Sequence, residues 1–343
     1  MVELLHGKEL EEFRKKVDMA KALEPPHDNE WVKSFVNLPL EVKIGKAITR
    51  IIEWIVYHEG KVYVSYSGGK DSTVLLHLVR RVYPECEAVF CNTGIEYPEV
   101  AKHAIAQPNV TVIKTQISFK KVIEEYGYPL PTKEISHFVA CARRGAPSAI
   151  KKLNGTYPGK DGKPSRYCCP QWKYLLDAPF KISDKCCDVM KKKPFKEFER
   201  NSGKKPFIGT TAAESYMRKT DWQRRGCNAF SGERPKSKPL SPFTEQDILR
   251  YIVMFGLEIP SVYGEIKQDS VGKYYTTGVS RTGCMPCMFG VHLEPKPNRF
   301  QIMYKTHPKH YNAFINKMGL GSAMDYIGVD YAPDTQLTLF EDE

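Results

Sequence analysis

Apolar residues near the start of the chain recur with the period of an α-helix. Ile44, Ile48, Ile51 and Ile55 follow one another at steps of four, three and four residues, which puts them on one helical face. Pro39 precedes them, and proline suits the first turn of a helix because its fixed φ is already helical. The pattern predicts helices over residues 1–58, with this stripe packed into a core.

Four short runs rich in β-branched and aromatic residues come next, separated by helical or irregular stretches. They are KVYVSYS at 61–67, EAVFCN at 87–92, VTVIKT at 110–115 and KPFIGTT at 205–211. Strands that alternate with helices form parallel sheets, because each crossover returns the chain to the same edge. We therefore expect an α/β fold with a Rossmann-like parallel sheet flanked by helices.

A further helix is predicted from SPFTEQDILRYIVMFG at 241–256. Ser241 or Thr244 can cap its start, and Ile248 and Ile252 share one face. Between the third and fourth strands lies a basic insertion at 130–205, rich in Lys, Pro and Gly. A loop of this length inside a compact domain is usually functional or disordered.

The composition is that of an ordinary globular protein. Of 343 residues, 41% are hydrophobic and 27% are charged, which excludes a small disulfide-stapled scaffold and a wholly disordered chain. No apolar run approaches the roughly 18 residues that a membrane span needs, and the first residues are charged where a secretory signal would be apolar. We expect a cytoplasmic protein with no membrane partner.

The charge is distributed unevenly along the chain. Lys and Arg number 51 against 40 Asp and Glu, a net charge of +11. The last fourteen residues hold five acidic residues and no Lys or Arg, so residues 1–329 carry +16. Such a body attracts polyanions through its long-range field. Nucleic acid, either DNA or RNA, is therefore a candidate partner, and solubility alone is the alternative role of this charge.

The sequence SGGKDS at 67–72 joins the first predicted strand to an apolar helical run. Unpaired backbone N–H groups and the positive end of the helix dipole meet at such a junction. The glycines let an anion approach the backbone, the lysine adds charge, and the serines add hydroxyl donors. The spacing differs from that of a GxxxxGK[ST] loop. A tight turn with incidental glycines is the alternative. The candidate phosphate-binding residues are Ser67, Gly68, Gly69, Lys70, Asp71 and Ser72, of which the last three are the candidate catalytic residues.

This loop resembles the pyrophosphate (PP) loop of the adenine nucleotide α-hydrolase superfamily, whose members split ATP between its α and β phosphates. Three other segments are similar to one branch, the phosphoadenosine phosphosulfate (PAPS) reductase family. They are NTGIEYPEV at 92–100, GTTAAESYMR at 209–218 and KPLSPFTEQDILRYI at 238–252. The resemblance covers about 59–290. It implies an adenine nucleotide α-hydrolase-like fold, a nucleotide substrate, and ATP and Mg²⁺ as cofactors.

The resemblance also implies further nucleotide-binding residues in the matching segments. They are Asn92, Thr93, Gly94, Glu96, Gly209, Glu214, Ser215 and Arg218. Two positions depart from the family pattern. Thr211 stands where an arginine is usual, and Phe243 stands where a tryptophan is usual.

These features predict four regions along the chain. Residues 1–58 form an N-terminal helical segment, and residues 59–265 form a PP-loop nucleotide-binding domain that includes the insertion. A cluster-binding C-terminal region follows at 266–330, and an acidic tail at 331–343.

Ten cysteines in a chain expected in a reducing compartment favour metal binding or thiol chemistry over a disulfide framework. A vicinal pair at 186–187 and a CxxC at 284–287 can converge on Zn²⁺ or on a 4Fe–4S cubane. The run CCDVMKKKP followed by GCMPC resembles the cluster signature of adenylylsulfate reductases, which favours the 4Fe–4S cluster over zinc. The candidate ligands are Cys284, Cys287 and two of Cys186, Cys187 and Cys227.

Two departures from the reductases direct the functional hypothesis. Those enzymes carry a nucleophilic cysteine in a C-terminal ECG segment, whereas the last cysteine here is Cys287. Their phosphate loop is degenerate, whereas SGGKDS is intact, as in members that use ATP. The hypothesis is an ATP pyrophosphatase that adenylates an acceptor and takes part in sulfur transfer, possible acceptors including nucleic acid. The alternatives are a PAPS or adenylylsulfate reductase with Cys168, Cys169 or Cys227 as nucleophile, and a non-catalytic DNA-associated nucleotide-binding protein.

The tail sequence QLTLF resembles the pentapeptide QLxLF that binds the bacterial sliding clamp. Leu337, Leu339 and Phe340 would fill an apolar groove, and Gln336 would hydrogen-bond at its rim. The sliding clamp is therefore a candidate partner. An ordinary terminal strand or a frayed tail is the alternative.

Overall fold

The computed structural model describes residues 2–24 and 26–332. The clamp-like motif at 336–340 lies outside the described residues. Contacts divide the described chain into two compact units. The first comprises segments 2–92, 97–114 and 195–282, and the second comprises segments 93–96, 115–194 and 283–332. The four predicted regional boundaries remain predictions.

A six-stranded sheet forms the centre of the first unit and confirms the predicted α/β class. The strands are β1 (Val62–Tyr66), β2 (Ala88–Asn92), β3 (Val110–Lys114), β4 (Lys205–Ile208), β5 (Asn228–Ala229) and β6 (Lys236–Ser237), followed by a separate hairpin of β7 (Ile266–Gln268) and β8 (Tyr274–Thr276). The sheet order is β3-β2-β1-β4-β6-β5. The β5–β6 pair is antiparallel, and every other pair of neighbouring strands in this sheet is parallel. The four strands predicted from the sequence are confirmed as β1–β4.

Helices flank the sheet and also occur throughout the second unit. They are α1 (Gly7–Leu23), α2 (Asn29–Val36), α3 (Leu40–Tyr57), α4 (Lys70–Val82), α5 (Pro98–Ala106), α6 (Phe119–Tyr126), α7 (Lys133–Ala142), α8 (Pro147–Leu153), α9 (Lys193–Ser202), α10 (Tyr216–Arg225), α11 (Glu245–Phe255), α12 (Arg299–Thr306), α13 (Pro308–Asn312) and α14 (Leu320–Tyr326). Across the described ranges, no helix is both long and apolar enough to cross a membrane.

The insertion at 130–205 is folded, contrary to the expectation of a loop. It contains α7, α8 and α9. The reason is visible in α7, where Ile135, Phe138 and Val139 follow the i, i+3, i+4 pattern and are buried. Thr132 caps this helix by accepting a hydrogen bond from the Ile135 N–H.

The strand order creates a crevice next to β1. From β1 the chain moves to β2 and β3 on one side, and β4 then pairs with β1 on the other side. In open α/β sheets, ligands bind outside the carboxyl ends of the strands where the order reverses. The segments that follow β1 and β4 therefore frame the expected ligand site.

A buried ion pair joins α3 to α11 beneath this sheet. Lys43 is 1% exposed, and its Nζ lies 2.6 Å from Asp247 Oδ2. The same carboxylate accepts the Thr244 N–H at 2.7 Å, which completes a capping box at the start of α11. Thr244 is thus the cap, whereas Ser241, the other candidate, donates to the Lys238 carbonyl oxygen.

Replacing Lys43 with methionine should lower the free energy of unfolding by about 3 kcal/mol, because the Asp247 carboxylate, whose side chain is 14% exposed, would lose its cation while staying largely out of water. The exposed pair Arg250–Glu41 joins the same two helices at 3.1 Å. Arg250→Gln should therefore cost less than about 1 kcal/mol. Urea unfolding of both variants measures the free energy of unfolding. Equal decreases in the two variants would contradict the larger contribution expected of the Lys43–Asp247 pair.

Candidate functional site

The predicted phosphate loop lies where β1 ends and α4 begins, at the crevice described above. Helix α4 begins at Lys70, directly after the two glycines. Gly68 has a φ of +75°, and a Cβ there would lie 2.8 Å from the Val100 carbonyl oxygen. Both backbone conformation and space therefore require glycine at position 68.

The serine hydroxyls hold the loop in shape. Ser72 Oγ lies 3.0 Å from Ser67 Oγ and donates to the Gly69 carbonyl oxygen at 2.9 Å. The Ser67 N–H in turn donates to Ser72 Oγ at 3.3 Å. The two hydroxyls expected as donors to an anion are thus engaged with the loop itself, which fixes the backbone path into α4.

Lys70 places a buried positive charge beside the loop. It is 4% exposed, and its Nζ lies 3.4 Å from Asp71 Oδ2 and 3.2 Å from the Ser280 carbonyl oxygen. Glu245 Oε1 lies 3.6 Å away. Oxygen atoms from three parts of the first unit thus hold the ammonium in place. A cation fixed in this way stabilises a developing negative charge without having to reorient.

A segment that the sequence reasoning missed also contacts the loop, and we call residues 263–282 the covering segment. The Tyr263 hydroxyl accepts the Lys70 N–H at 3.2 Å and lies 2.7 Å from Thr282 Oγ1. A Cβ on Gly69 would lie 2.8 Å from that same threonine oxygen. Burial raises the pKa of Tyr263, so its hydroxyl is protonated. An N–H group suited to an anion is therefore occupied by a phenol.

The segment after β4 packs directly on the loop. Gly209 follows β4, and a Cβ at this position would lie 3.1 Å from Ser72 Cα. Thr211, which stands at the family's usual arginine position, is buried, and its N–H donates to Glu214 Oε2 at 3.0 Å. Ser215 caps α10 by accepting the Arg218 N–H. Phe243, the other departure, is fully buried in the core.

Two guanidinium groups share one carboxylate beside the loop. Glu214 forms ion pairs with Arg218 and with Arg281, the latter at 3.1 Å. Burial lowers the pKa of Arg218, and the positive charge of Arg281 lowers it further, while Asp71 opposes both effects. Arg218 is thus an electrostatic neighbour of the loop. The sequence analysis also did not identify Arg281 as a site residue. Its position just before the CxxC was the one signal that could have pointed to it.

Some predicted nucleotide-binding residues belong to the second unit. Glu96 accepts the Thr93 N–H at 3.1 Å and the Thr93 hydroxyl at 2.6 Å, and Gly94 lies between them in the chain. Lys191 Nζ lies 3.6 Å from Glu96 Oε1. Asn92 ends β2 in the first unit. The structure therefore brings the residues at 67–72, 209, 214, 215 and 218 together within one unit, and places those at 93–96 in the other.

Four of the five candidate cysteine ligands lie in the second unit. The pKa of Cys186 is raised by burial and then by its neighbours Cys187, Cys284 and Cys287. Burial also raises the pKa of Cys284 to about 11, although Lys191 opposes it. In the described part of the chain, however, no set of three or more Cys, His, Asp or Glu side chains is arranged to hold a metal ion. Cysteine sulfur is a suitable ligand atom for iron or zinc, but these side chains are not arranged as a metal coordination sphere.

Cys227, the fifth candidate, lies in the first unit. It packs with a cluster that contains Trp222 and Val32. Burial raises its pKa, while the nearby charge of Arg50 lowers it.

Residues 61–133 match the phosphoadenosine phosphosulfate reductase domain. The match covers about a fifth of the 343 residues. The match spans β1, the phosphate loop and the segment at 92–100, so the family resemblance predicted from those motifs is confirmed. The segments at 209–218 and 238–252 lie outside the matched range. No curated protein matches the sequence significantly.

Solved structures of this kind of fold are similar to the chain at low identity. PAPS reductase from Candida auris is 14% identical, covers 80% of this chain and 100% of its own, and has a TM-score of 0.37. The U34-tRNA thiolase of Methanococcus maripaludis, which contains a [4Fe-4S] cluster, is 15% identical, with coverages of 81% and 79% and a TM-score of 0.34. FMN adenylyltransferase from Candida glabrata is 10% identical, with coverages of 76% and 69% and a TM-score of 0.35. At these values the likeness carries no information on activity.

Replacing Tyr263 with phenylalanine should strengthen pyrophosphate binding to the loop at 67–72 about fivefold. The substitution keeps the buried ring and removes the hydroxyl that competes for the Lys70 N–H, a hydrogen bond of about 1 kcal/mol. Titration calorimetry with pyrophosphate measures the affinity. Tyr251→Phe is the control, because its hydroxyl bonds to His77 instead. Weaker binding by Tyr263→Phe would mean that the hydroxyl contacts the ligand rather than competing with it.

Proposed function

We propose that the chain is a PP-loop ATP pyrophosphatase that adenylates an acceptor and takes part in sulfur transfer. The observation that carries the proposal is the intact SGGKDS loop at the β1–β4 crevice, with the buried Lys70 ammonium fixed beside it. A loop of backbone N–H groups with a fixed cation suits the β and γ phosphates of ATP. PAPS has no such diphosphate.

In this proposal an acceptor oxygen or sulfur attacks the α-phosphorus of ATP. The bond between the α-phosphorus and the bridging oxygen breaks, and pyrophosphate leaves with the electron pair. The N–H groups at 68–72 and the Lys70 ammonium hold the pyrophosphate as its charge grows. Arg218 adds positive charge at the same place. Mg²⁺, when bound, would neutralise part of the charge, and the Asp71 carboxylate is the type of oxygen ligand that it prefers.

Pyrophosphate release from ATP tests the proposal. Lys70→Met should lower the rate roughly a hundredfold, because a fixed positive charge at the leaving group is lost. Lys267→Met removes an exposed ammonium from the same unit and should leave the rate unchanged. The assay is run with DNA, RNA and small thiols or carboxylates as acceptors. Equal rates for Lys70→Met and wild type would contradict the assignment.

The family match favours one second candidate, a reductase of PAPS or adenylylsulfate. Competition between ATP and PAPS for the wild-type chain separates the two functions. The pyrophosphatase binds ATP in preference, whereas a chain that binds PAPS tightly and shows no ATP binding at millimolar concentration is the reductase.

The 4Fe–4S cluster belongs to the same proposal. Cys284 and Cys287, with two of Cys186, Cys187 and Cys227, are its proposed ligands, and zinc is the alternative metal. The Lys191 ammonium interacts with Cys186, Cys187, Cys284 and Cys287, which supports the assignment because a cation offsets the negative charge of thiolates. No catalytic step is assigned to the cluster.

Cys284→Ser should lose the iron of anaerobically purified protein and destabilise the second unit, because ligand binding contributes to folding. Iron and sulfide analysis with a visible spectrum measures the loss. Cys141→Ser, a partly exposed cysteine of the same unit, is the matched control and should keep its iron. Stoichiometric zinc without iron in the wild-type protein would contradict the cluster.

Two macromolecular partners remain proposals from the sequence. The charge of +16 on residues 1–329 supports nucleic acid, with the insertion at 130–205 as one contact region. The QLTLF motif supports the sliding clamp. Pull-down with the purified clamp, before and after deletion of residues 335–343, tests the second partner, and unchanged binding after deletion would exclude the motif.

A further inference from the structure

Helix α10 begins with two exposed, largely apolar side chains. Tyr216 is 65% exposed and Met217 is 81% exposed. They directly follow Glu214 and Ser215, and the next residue, Arg218, is the electrostatic neighbour of Asp71 in the phosphate loop. A largely exposed aromatic side chain therefore lies within one helical turn of the proposed ATP site.

The same helix carries a surplus of positive charge. It holds Arg218, Lys219, Arg224 and Arg225, with Asp221 as its acidic residue. That single carboxylate is shared by Arg225 at 3.4 Å, by Lys236 at 3.9 Å and by Lys238. One negative charge thus faces three positive charges, so two positive charges are not compensated within this group.

The pKa of Lys236 reflects this uncompensated charge. Burial lowers it, and the positive charges of Lys238, Arg225 and Arg234 lower it further, although Asp221 acts in the opposite direction. A cation whose pKa is lowered by other cations lies in a positive potential. A phosphate group placed there would stabilise all of them.

A cavity of about 790 Å³ opens at the far end of α10. Its lining combines cations with two aromatic rings, including Arg224, Arg225, Arg234, Lys236, Tyr57 and Phe230. Acidic Asp18, Glu24 and Glu233 also line it, and Asp18 accepts a hydrogen bond from Tyr57 while Glu24 pairs with Lys21. Ten helical residues span about 15 Å, which is the length of a few nucleotides. Arg234 in this lining is paired with Glu199 at 2.7 Å, whereas basic side chains of α10 lie at both the cavity and, through Arg218, the phosphate loop.

We propose that α10 and this cavity bind a single-stranded polynucleotide, with its phosphates on the cations and one base stacked on Tyr216. Charge complementarity selects a polyanion, and the exposed aromatic ring selects one whose base faces are accessible. A duplex hides those faces. The inference rests on the proposed function, because a strand held in this way presents a base to the ATP site as acceptor.

Fluorescence anisotropy with a labelled 20-nucleotide single strand tests the proposal on the full chain, with DNA and RNA oligonucleotides measured in parallel. Tyr216→Ala should weaken binding about tenfold, the usual cost of losing one stacked base. Tyr216→Phe keeps the ring and should bind as wild type does. Tyr275→Ala, an exposed tyrosine on β8, is the matched control and should also leave binding unchanged.

Salt dependence provides a second readout. Arg224→Gln combined with Arg225→Gln should reduce the slope of log affinity against log salt by about 1.4, since each lost phosphate contact removes about 0.7. Arg250→Gln removes an exposed guanidinium from α11 and should leave the slope unchanged. ATP binding, measured by calorimetry in the same variants, should not change.

The outcomes separate this inference from the proposed function. Tenfold weaker binding of the single strand by Tyr216→Ala, whether DNA or RNA, supports the inference even if wild type binds no ATP, in which case the pyrophosphatase proposal alone fails. The inference is overturned if ATP binding is normal and Tyr216→Ala binds the single strand as tightly as wild type does. An equal loss of affinity of Tyr216→Ala for a duplex or for polyphosphate also overturns the inference, because the ring would then not be stacking on a base.

Discussion

The first N–H groups of α4 have no partner within their own helix, and much of the first unit is arranged around them. The strand order places this helix start at the β1–β4 crevice, and two glycines bring the backbone close to α5 and to the covering segment. Lys70 is buried at the same point. The capacity to bind an anion is thus a property of the backbone at one position, and the surrounding side chains adjust it.

The covering segment shows how that capacity is satisfied without a ligand. Tyr263 supplies an acceptor for the Lys70 N–H, and its ring lies beneath the lysine ammonium at 5.7 Å. A buried donor left without an acceptor costs about 1–3 kcal/mol, so the phenol stabilises the loop in the absence of a phosphate. Any phosphate that binds at Lys70 must replace this hydrogen bond. The affinity of the site therefore depends on a residue far from the motif in the sequence.

Local patterns predicted the parts of the fold that depend on neighbours in sequence. The strands β1–β4, the isoleucine face of α3 and the junction at 67–72 follow from periodicity and from glycine placement within a few residues. The helices of the insertion could have been predicted from the spacing of Ile135, Phe138 and Val139, which its Lys, Pro and Gly content obscured. Tyr263 and Thr282 could not be found, because roughly two hundred residues separate them from the loop. Arg281 could not be found because its partner, Glu214, lies 67 residues away in the sequence. The spacing of the vicinal pair and the CxxC predicted that four thiols lie near one another, but it could not predict how those thiols are arranged.

In the proposed site, the loop at 67–72 holds the two terminal phosphates of ATP. The most direct measurement is a crystal structure of the chain with Mg²⁺ and α,β-methylene ATP, whose α–β linkage cannot be cleaved. We expect the β and γ phosphates within hydrogen-bond distance of the backbone N–H groups at 68–72 and of Lys70 Nζ, with the Tyr263 hydroxyl displaced from the Lys70 N–H. A nucleotide bound with its phosphates elsewhere, and Tyr263 still on the Lys70 N–H, would contradict it.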